Sequence, residues 1–324
     1  MRSLFVRSVM LAVGVCVHAG CAHHRSASLA DRFMLQSGGT AVREQQPSQP
    51  PSPTLEEAIG KMRQLMAQAH PEPKASLQTL ESRDPALAKA LSDLHSWPTA
   101  ARYVDVADAY RVRGSLDQAY DNYMHALHID SRRAEAYDGL ARVWRDWGFP
   151  GLGLGDAHRA IFYDPRSAAA ENTLGTILQA LGRRKPARQA YDAATTLDRS
   201  AGYPLSNLCY LSFVEGNAAQ AVAECREAIR RDPQLPAAHN NLALTYAAIG
   251  RLDLARQEFA QAGPAAEAYN MGIVHLARKE YARAADQFDL ARGGNVAAFD
   301  AADRARQARK LANVVLIDGE VEKQ

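Results

Sequence analysis

The feature that most restricts this chain is a period. Small residues recur at Ala107, Ala141, Gly175, Cys209, Ala243 and Gly272, at steps of 34 residues with a last step of 29. A second column reads Ala119, Gly153, Ala187, Ala221, Ala255 and Ala284, and a third Ala126, Ala160, Ala194, Ala228, Ala262 and Ala291. Glycine recurs at Gly114, Gly148, Gly182, Gly216 and Gly250, and Lys279 stands in that place in the sixth copy. Large apolar residues keep the same step at Leu140, Leu174, Leu208, Leu242 and Met271. Two antiparallel helices approach closely only where their side chains are small. The glycine column supplies the left-handed residue that ends a helix, and Pro165 and Pro233 stop the helix that follows. Six copies, starting near residues 100, 134, 168, 202, 236 and 265, predict six helix–turn–helix units that must stack, because one hairpin cannot bury its own apolar face.

The period also disposes of a tempting motif. "FPGLGLGDAHRA" at 149–160 places Gly151, Gly153 and Gly155 ahead of a helix, as a phosphate-cradling loop does. A dinucleotide loop follows a buried strand and spaces its glycines G-x-G-x-x-G. This stretch reads G-x-G-x-G, and the residues before it, Tyr137, Leu140, Ala141 and Trp144, have helical spacing. Gly148 instead ends a helix and Gly153 belongs to the small-residue column. Gly151 and Gly155 are extra, each costing about 1 kcal/mol relative to alanine, so this helix is expected to start late or run irregularly.

The period and its helix–turn–helix unit resemble the tetratricopeptide repeat (TPR). The resemblance implies an all-α TPR solenoid of about six repeats over 100–298, with N-terminal helices over 54–99 and a C-terminal capping helix and tail over 299–324. It departs from the family's pattern in the shortened fifth unit and at Ser131 and Arg199, where proline is usual. In this family the first helix of each unit lines a concave groove. The matching positions are Asn207, Asn241 and Asn270, an asparagine ladder suited to an extended peptide backbone. Charged neighbours include Asp108, Glu135, Asp138, Arg142 and Arg145, and apolar ones Tyr210, Phe213, Leu244, Tyr269, Ile273 and Leu276. The apolar part either meets a partner or is filled by the chain's own terminal helices. Lysine is absent from these positions, unlike family members that clamp a terminal carboxylate.

The same alignment of units sets Cys209 opposite Cys225, where other units set a small residue opposite Tyr123, Tyr191, Phe259 or Phe288. Two readings stand: a disulfide, contributing roughly 3 kcal/mol by the chain-entropy model, or two buried free thiols acting as small hydrophobes.

Residues 1–20 have a basic start, an apolar run from Val9 to Val17 and small residues before Cys21. That is an export-signal layout. "HAGC" at 18–21 resembles a bacterial lipobox and implies lipidation at Cys21, with His18 where an aliphatic residue is usual; Ala22 implies the outer membrane, facing the periplasm. Residues 21–53, with "REQQPSQPPSPT", read as a disordered tether reaching roughly 30 Å, and 55–69 and 85–96 as helices. Without Arg2 and Arg7 the balance is 36 basic against 36 acidic residues, so charge gives no case for nucleic acid, and the membrane is reached through the lipid alone.

Nothing points to catalysis, a cofactor or a small-molecule substrate. There is no G-x-S-x-G and no H-E-x-x-H. His125 and His128 lie three apart without an evident third metal ligand. The expected function is a non-enzymatic scaffold for a protein or peptide partner. A lipid anchor joined to TPR units is similar to the pilus-assembly lipoproteins of the TadD and type IV pilotin kinds, which implies a role in pilus or secretion-system assembly. The alternative is an accessory partner that recruits a cell-wall or polysaccharide-export enzyme to the envelope.

Overall fold

The computed structural model describes residues 84–292 and 298–321. The expected leader, Cys21, the expected tether and the helix expected over 55–69 lie outside the described residues. Those described contain fourteen α-helices and no strand. They are α1 (Pro85–Ser96), α2 (Ala100–Val112), α3 (Leu116–Ile129), α4 (Ala134–Asp146), α5 (Pro150–Tyr163), α6 (Ala168–Ala180) and α7 (Arg184–Leu197), then α8 (Tyr203–Val214), α9 (Ala218–Arg231), α10 (Pro236–Ala248), α11 (Leu252–Phe259), α12 (Pro264–Ala277), α13 (Tyr281–Ala291) and α14 (Ala298–Val321). None is long and apolar enough to cross a membrane. They fall into two units divided between Gly139 and Leu140.

In the first unit, Asp84 caps α1 by accepting the N–H groups of Ala86 at 2.7 Å and Leu87 at 3.1 Å. Its other oxygen accepts from Arg113 Nε at 2.6 Å, just past the end of α2. α2 packs along α3. The Tyr123 ring is buried, and a Cβ on Gly139 would fall inside it. The Tyr123 hydroxyl donates to Asp108 at 2.6 Å.

In the second unit, α6 pairs with α7, α8 with α9, α10 with α11 and α12 with α13, and α14 lies along α13. The small-residue columns sit at the closest approaches. Ala141, Ala187, Ala194, Ala221, Ala228, Ala243 and Ala255 are all fully buried. Ala262 is the exception and is exposed. Its helix, α11, stops after 8 residues, gives a short 3-10 turn over Ala260–Ala262, and meets Gly263 at φ +96°. Pro264 at the start of α12 disfavours a helical conformation at the residue before it, so the second helix of the fifth unit cannot run its full length.

The glycine column ends five helices in one way. Gly114, Gly148, Gly182, Gly216 and Gly250 have φ between +73° and +88°. Each following residue donates its N–H to a carbonyl five residues back, as Arg183 does to Leu178 at 2.8 Å and Asn217 to Ser212 at 2.9 Å. This closes the last turn and satisfies carbonyls the helix leaves orphaned. A parallel device ends the second helices. Asp130, Asp164, Asp198 and Asp232 each follow the last helical residue and accept the N–H two residues on, from Arg132, Arg166, Ser200 and Gln234.

One expectation needs correction. α5 starts at Pro150 and runs 14 residues, in register with α3 and α7. It is neither late nor irregular. Pro150 at its first position has φ already set for a helix, and tertiary packing outweighs the glycine cost. Gly153 touches α4: a Cβ there would come within 2.7 Å of the Ala141 carbonyl oxygen. Gly155 faces open space.

Lys279 holds the left-handed place at φ +61°, where a side chain costs energy that glycine avoids. Lys279→Gly is expected to raise unfolding stability by about 1 kcal/mol, read as a higher urea midpoint at unchanged slope; an unchanged or lower midpoint contradicts this account.

Candidate functional site

The asparagine ladder is present, but its rungs run between the first helices of successive units. Asn207 Nδ2 on α8 donates to Asn172 Oδ1 on α6 at 2.8 Å. Asn241 on α10 donates to the Ser206 carbonyl at 3.0 Å and its hydroxyl at 3.2 Å. Asn270 on α12 donates to Asn240 Oδ1 at 3.4 Å. The acceptors Asn172, Ser206 and Asn240 recur at the same 34-residue step. That column is legible in the sequence, but its 34-residue step does not say whether its members face a partner or the neighbouring helix.

The rungs differ in access. Asn207 and Asn270 are half-buried, while Asn241 is 2% exposed. The apolar groove residues are covered as well: Phe213, Leu244 and Ile273 are 3%, 2% and 2% exposed, and Tyr269 is buried. They share one core cluster with Ala301, Ala305 and Ala308 of α14. Tyr269 meets the edge of the Phe288 ring at 5.6 Å, and the Arg304 guanidinium of α14 lies 5.7 Å from the Tyr269 ring centre. Of the two alternatives the sequence leaves for these residues, the structure has the chain's own helices cover them. The later first helices are enclosed nearly all round: on α10 every residue from Asn241 to Ala247 is buried.

Polar side chains stay accessible along the earlier first helices. Arg142, Arg145, Asn172, Thr176, Gln179, Asn207 and Tyr210 are all half-buried. Arg145 is held from two sides. Its Nε and Nη2 donate to Asp146 at 2.9 and 2.7 Å, and its Nη1 to Thr176 at 2.9 Å, joining α4 to α6. The buried Tyr191 hydroxyl donates to Gln179 at 3.0 Å. Burial pushes the Tyr191 phenol up, with Arg145 pulling it down and Tyr210 adding to the push. Burial also pushes Tyr210 up. Both phenols are therefore neutral donors at ordinary pH, beside a guanidinium and a row of side-chain amides. Such a face offers donors and acceptors to a polypeptide main chain.

An Arg188 clasp was not anticipated. From α7, its Nη2 donates to Ser212 at 3.0 Å and Glu215 at 2.9 Å, and its Nη1 to Glu224 on α9 at 3.1 Å. Burial opposes the charge on Arg188, but the bonds from Glu215 and Glu224 outweigh it and raise its pKa. Cys209 and Cys225 are joined as a disulfide, with Cα atoms 5.2 Å apart. His125 and His128 lie exposed on α3. Among the described residues no group of three or more His, Cys, Asp or Glu side chains is gathered as a metal would need.

Comparison with known proteins follows the geometry. Models of the tetratricopeptide repeat match residues 172–200 and 224–257. Curated protein sequences yield no significant match. Among solved structures, a chain of the APC/C hetero-tetramer Cut9–Hcn1 aligns with TM-score 0.57 and 16% identity over 77% of this chain. This chain spans 52% of that one. A tetratricopeptide repeat protein from Parabacteroides merdae aligns with TM-score 0.52 and 17% identity, covering 78% of this chain and 98% of that one. PilW, a type IV pilus biogenesis factor, aligns with TM-score 0.53 and 19% identity, covering 64% and 97%. At these identities the likeness is one of fold.

Burial of Phe213 makes a direct prediction. Phe213→Asp is expected to destabilise the fold by more than about 3 kcal/mol, seen as a large drop in the thermal midpoint by circular dichroism. An unchanged midpoint would return Phe213 to the surface. Repeat models over residues 172–200 and 224–257, hairpin geometry and structural neighbours agree on an all-α fold of tetratricopeptide-repeat hairpins.

Proposed function

We propose that this protein is a non-enzymatic scaffold that holds a protein or peptide partner on the polar face formed by α4, α6 and α8. The observation that carries the reading is the contrast along the stack. Arg142, Arg145, Asn172, Asn207 and Tyr210 remain half-open, while Asn241, the counterpart of Asn207 on α10, and Leu244 and Ile273, the counterparts of Tyr210 on α10 and α12, are enclosed by the chain itself. A partner lying here meets amide, guanidinium and phenol groups, which suits a main chain or polar side chains. Lipidation at Cys21 would tether the scaffold at the outer membrane, facing the periplasm. The likeness to PilW, described as a pilus biogenesis factor, supports a role in pilus or secretion-system assembly.

Two experiments test this. A photo-crosslinking residue at position 210 should capture a discrete envelope partner that the same residue at exposed Gln189 on α7 does not, and Asn207→Ala should weaken the capture with helicity intact. Equal capture at both positions removes the groove from the account. Separately, wild-type protein should partition into detergent and carry a modified N-terminal cysteine, and Cys21→Ser should abolish both; an unmodified N-terminus in the soluble fraction refutes the anchor.

A further inference from the structure

The fourth hairpin, α8–α9, breaks the packing rule of its neighbours. In the third and sixth hairpins a glycine lies against an aromatic ring. A Cβ on Gly175 would come within 2.5 Å of the Tyr191 ring, and one on Gly272 within 2.7 Å of the Phe288 ring. The fifth sets Ala243 and Phe259 in the same two places, both buried in one cluster. In the fourth, Cys209 and Cys225 hold both places, and both are 0% exposed. No ring fills this seam. The Cα atoms of the two cysteines lie 5.2 Å apart, inside the range a disulfide spans. Unbonded sulfurs need van der Waals separation in place of a covalent bond length. Reduced, they would push the helices apart or leave the seam loosely packed, at a cost in contact energy.

The spacing of these helices matters beyond the seam. Ser212 stands one turn from Cys209, and Glu224 precedes Cys225. Ser212 Oγ donates to Glu224 Oε2 across the hairpin at 2.6 Å, and Arg188 of α7 reaches both. The guanidinium reaches both while the sulfur bridge holds α8 and α9 together. The clasp between the third and fourth hairpins is thus geometrically tied to the bridge.

We propose that oxidation of Cys209 and Cys225 is the step that closes the fourth hairpin and docks it on the third, so that the repeat stack is completed only where thiols are oxidised. The oxidant is the disulfide of a thiol–disulfide exchange protein. One cysteine thiolate attacks it to form a mixed disulfide; the other displaces the exchange protein and completes the Cys209–Cys225 bond. The chain loses two electrons and two protons, and the exchange protein leaves as a dithiol. With both sulfurs buried in the finished hairpin, exchange precedes closure, and the closed bond lies beyond the reach of soluble reductants. Since α8 also carries Asn207 and Tyr210, oxidation completes the binding face too; that consequence alone rests on the groove reading.

Amide hydrogen exchange on the full chain tests the proposal without any partner. Cys209→Ser/Cys225→Ser should lose on the order of 100-fold protection in α8 and α9, with α12 and α13 unchanged. Cys209→Ala/Cys225→Phe, which copies the fifth hairpin, should recover most of it without any sulfur. Wild type should keep its bond in reductant while folded and lose it once denatured. The proposal is overturned if the double serine variant is as protected as wild type in α8 and α9. It is equally overturned if oxidatively prepared wild type, denatured without reductant, shows Cys209 and Cys225 as free thiols.

Discussion

Close approach of helix backbones is the constraint on which everything else in this protein depends. An alanine or glycine on one helix lets the facing helix come near enough for its aromatic ring to fill the seam, as Tyr191 does against Gly175 and Phe288 against Gly272. A close-packed seam tolerates little change in volume. The same three columns are therefore occupied by alanine, glycine or cysteine in every copy. The turn glycines follow from this, because helices that lie close and antiparallel need a sharp left-handed reversal between them. In the fourth hairpin covalent chemistry takes the place of the aromatic ring.

Repetition does not make the units equivalent. The polar rungs between first helices use one position of each unit as donor and the preceding residue of the unit before as acceptor. Whether such a rung is also open to a partner depends on what covers it. Around α10 and α12 the apolar stripe is enclosed, and α14 adds Ala301, Ala305 and Ala308 to the same core. α14 turns Asp303, Arg306, Gln307 and Lys310 outward, a polar face suited to ending a stack. Around α4, α6 and α8 the polar groups remain half-exposed. One repeat chemistry thus yields a structural half and a candidate binding half.

Irregular positions report on the balance of forces. The glycines of α5 show packing overriding local propensity: a helix with three glycines forms in full because a proline starts it and a neighbour needs Gly153 to lack a side chain. The short α11 shows the reverse. There a Gly-Pro pair at 263–264 dictates the backbone, and no packing gain restores the lost turn or buries Ala262. Lys279 lies between these cases, adopting the turn geometry of its five glycine counterparts at some cost because the reversal is required.

The sequence by itself determined the helical class, the number and register of the hairpins, the left-handed turns and the placing of Cys209 opposite Cys225 across one seam, though not whether they bond. These follow from local rules, in which side-chain size and backbone freedom recur at a fixed step. Only the tertiary structure decided which apolar first-helix residues are sealed, which asparagines bond to a neighbouring helix, and how Arg188 ties two hairpins together. Phe213 and Tyr210 show why. They lie three residues apart on one helix face and are alike as sequence, yet one is enclosed and the other half-open. What separates them is the set of neighbours that surrounds each, and neighbours distant along the chain leave no mark on the local pattern.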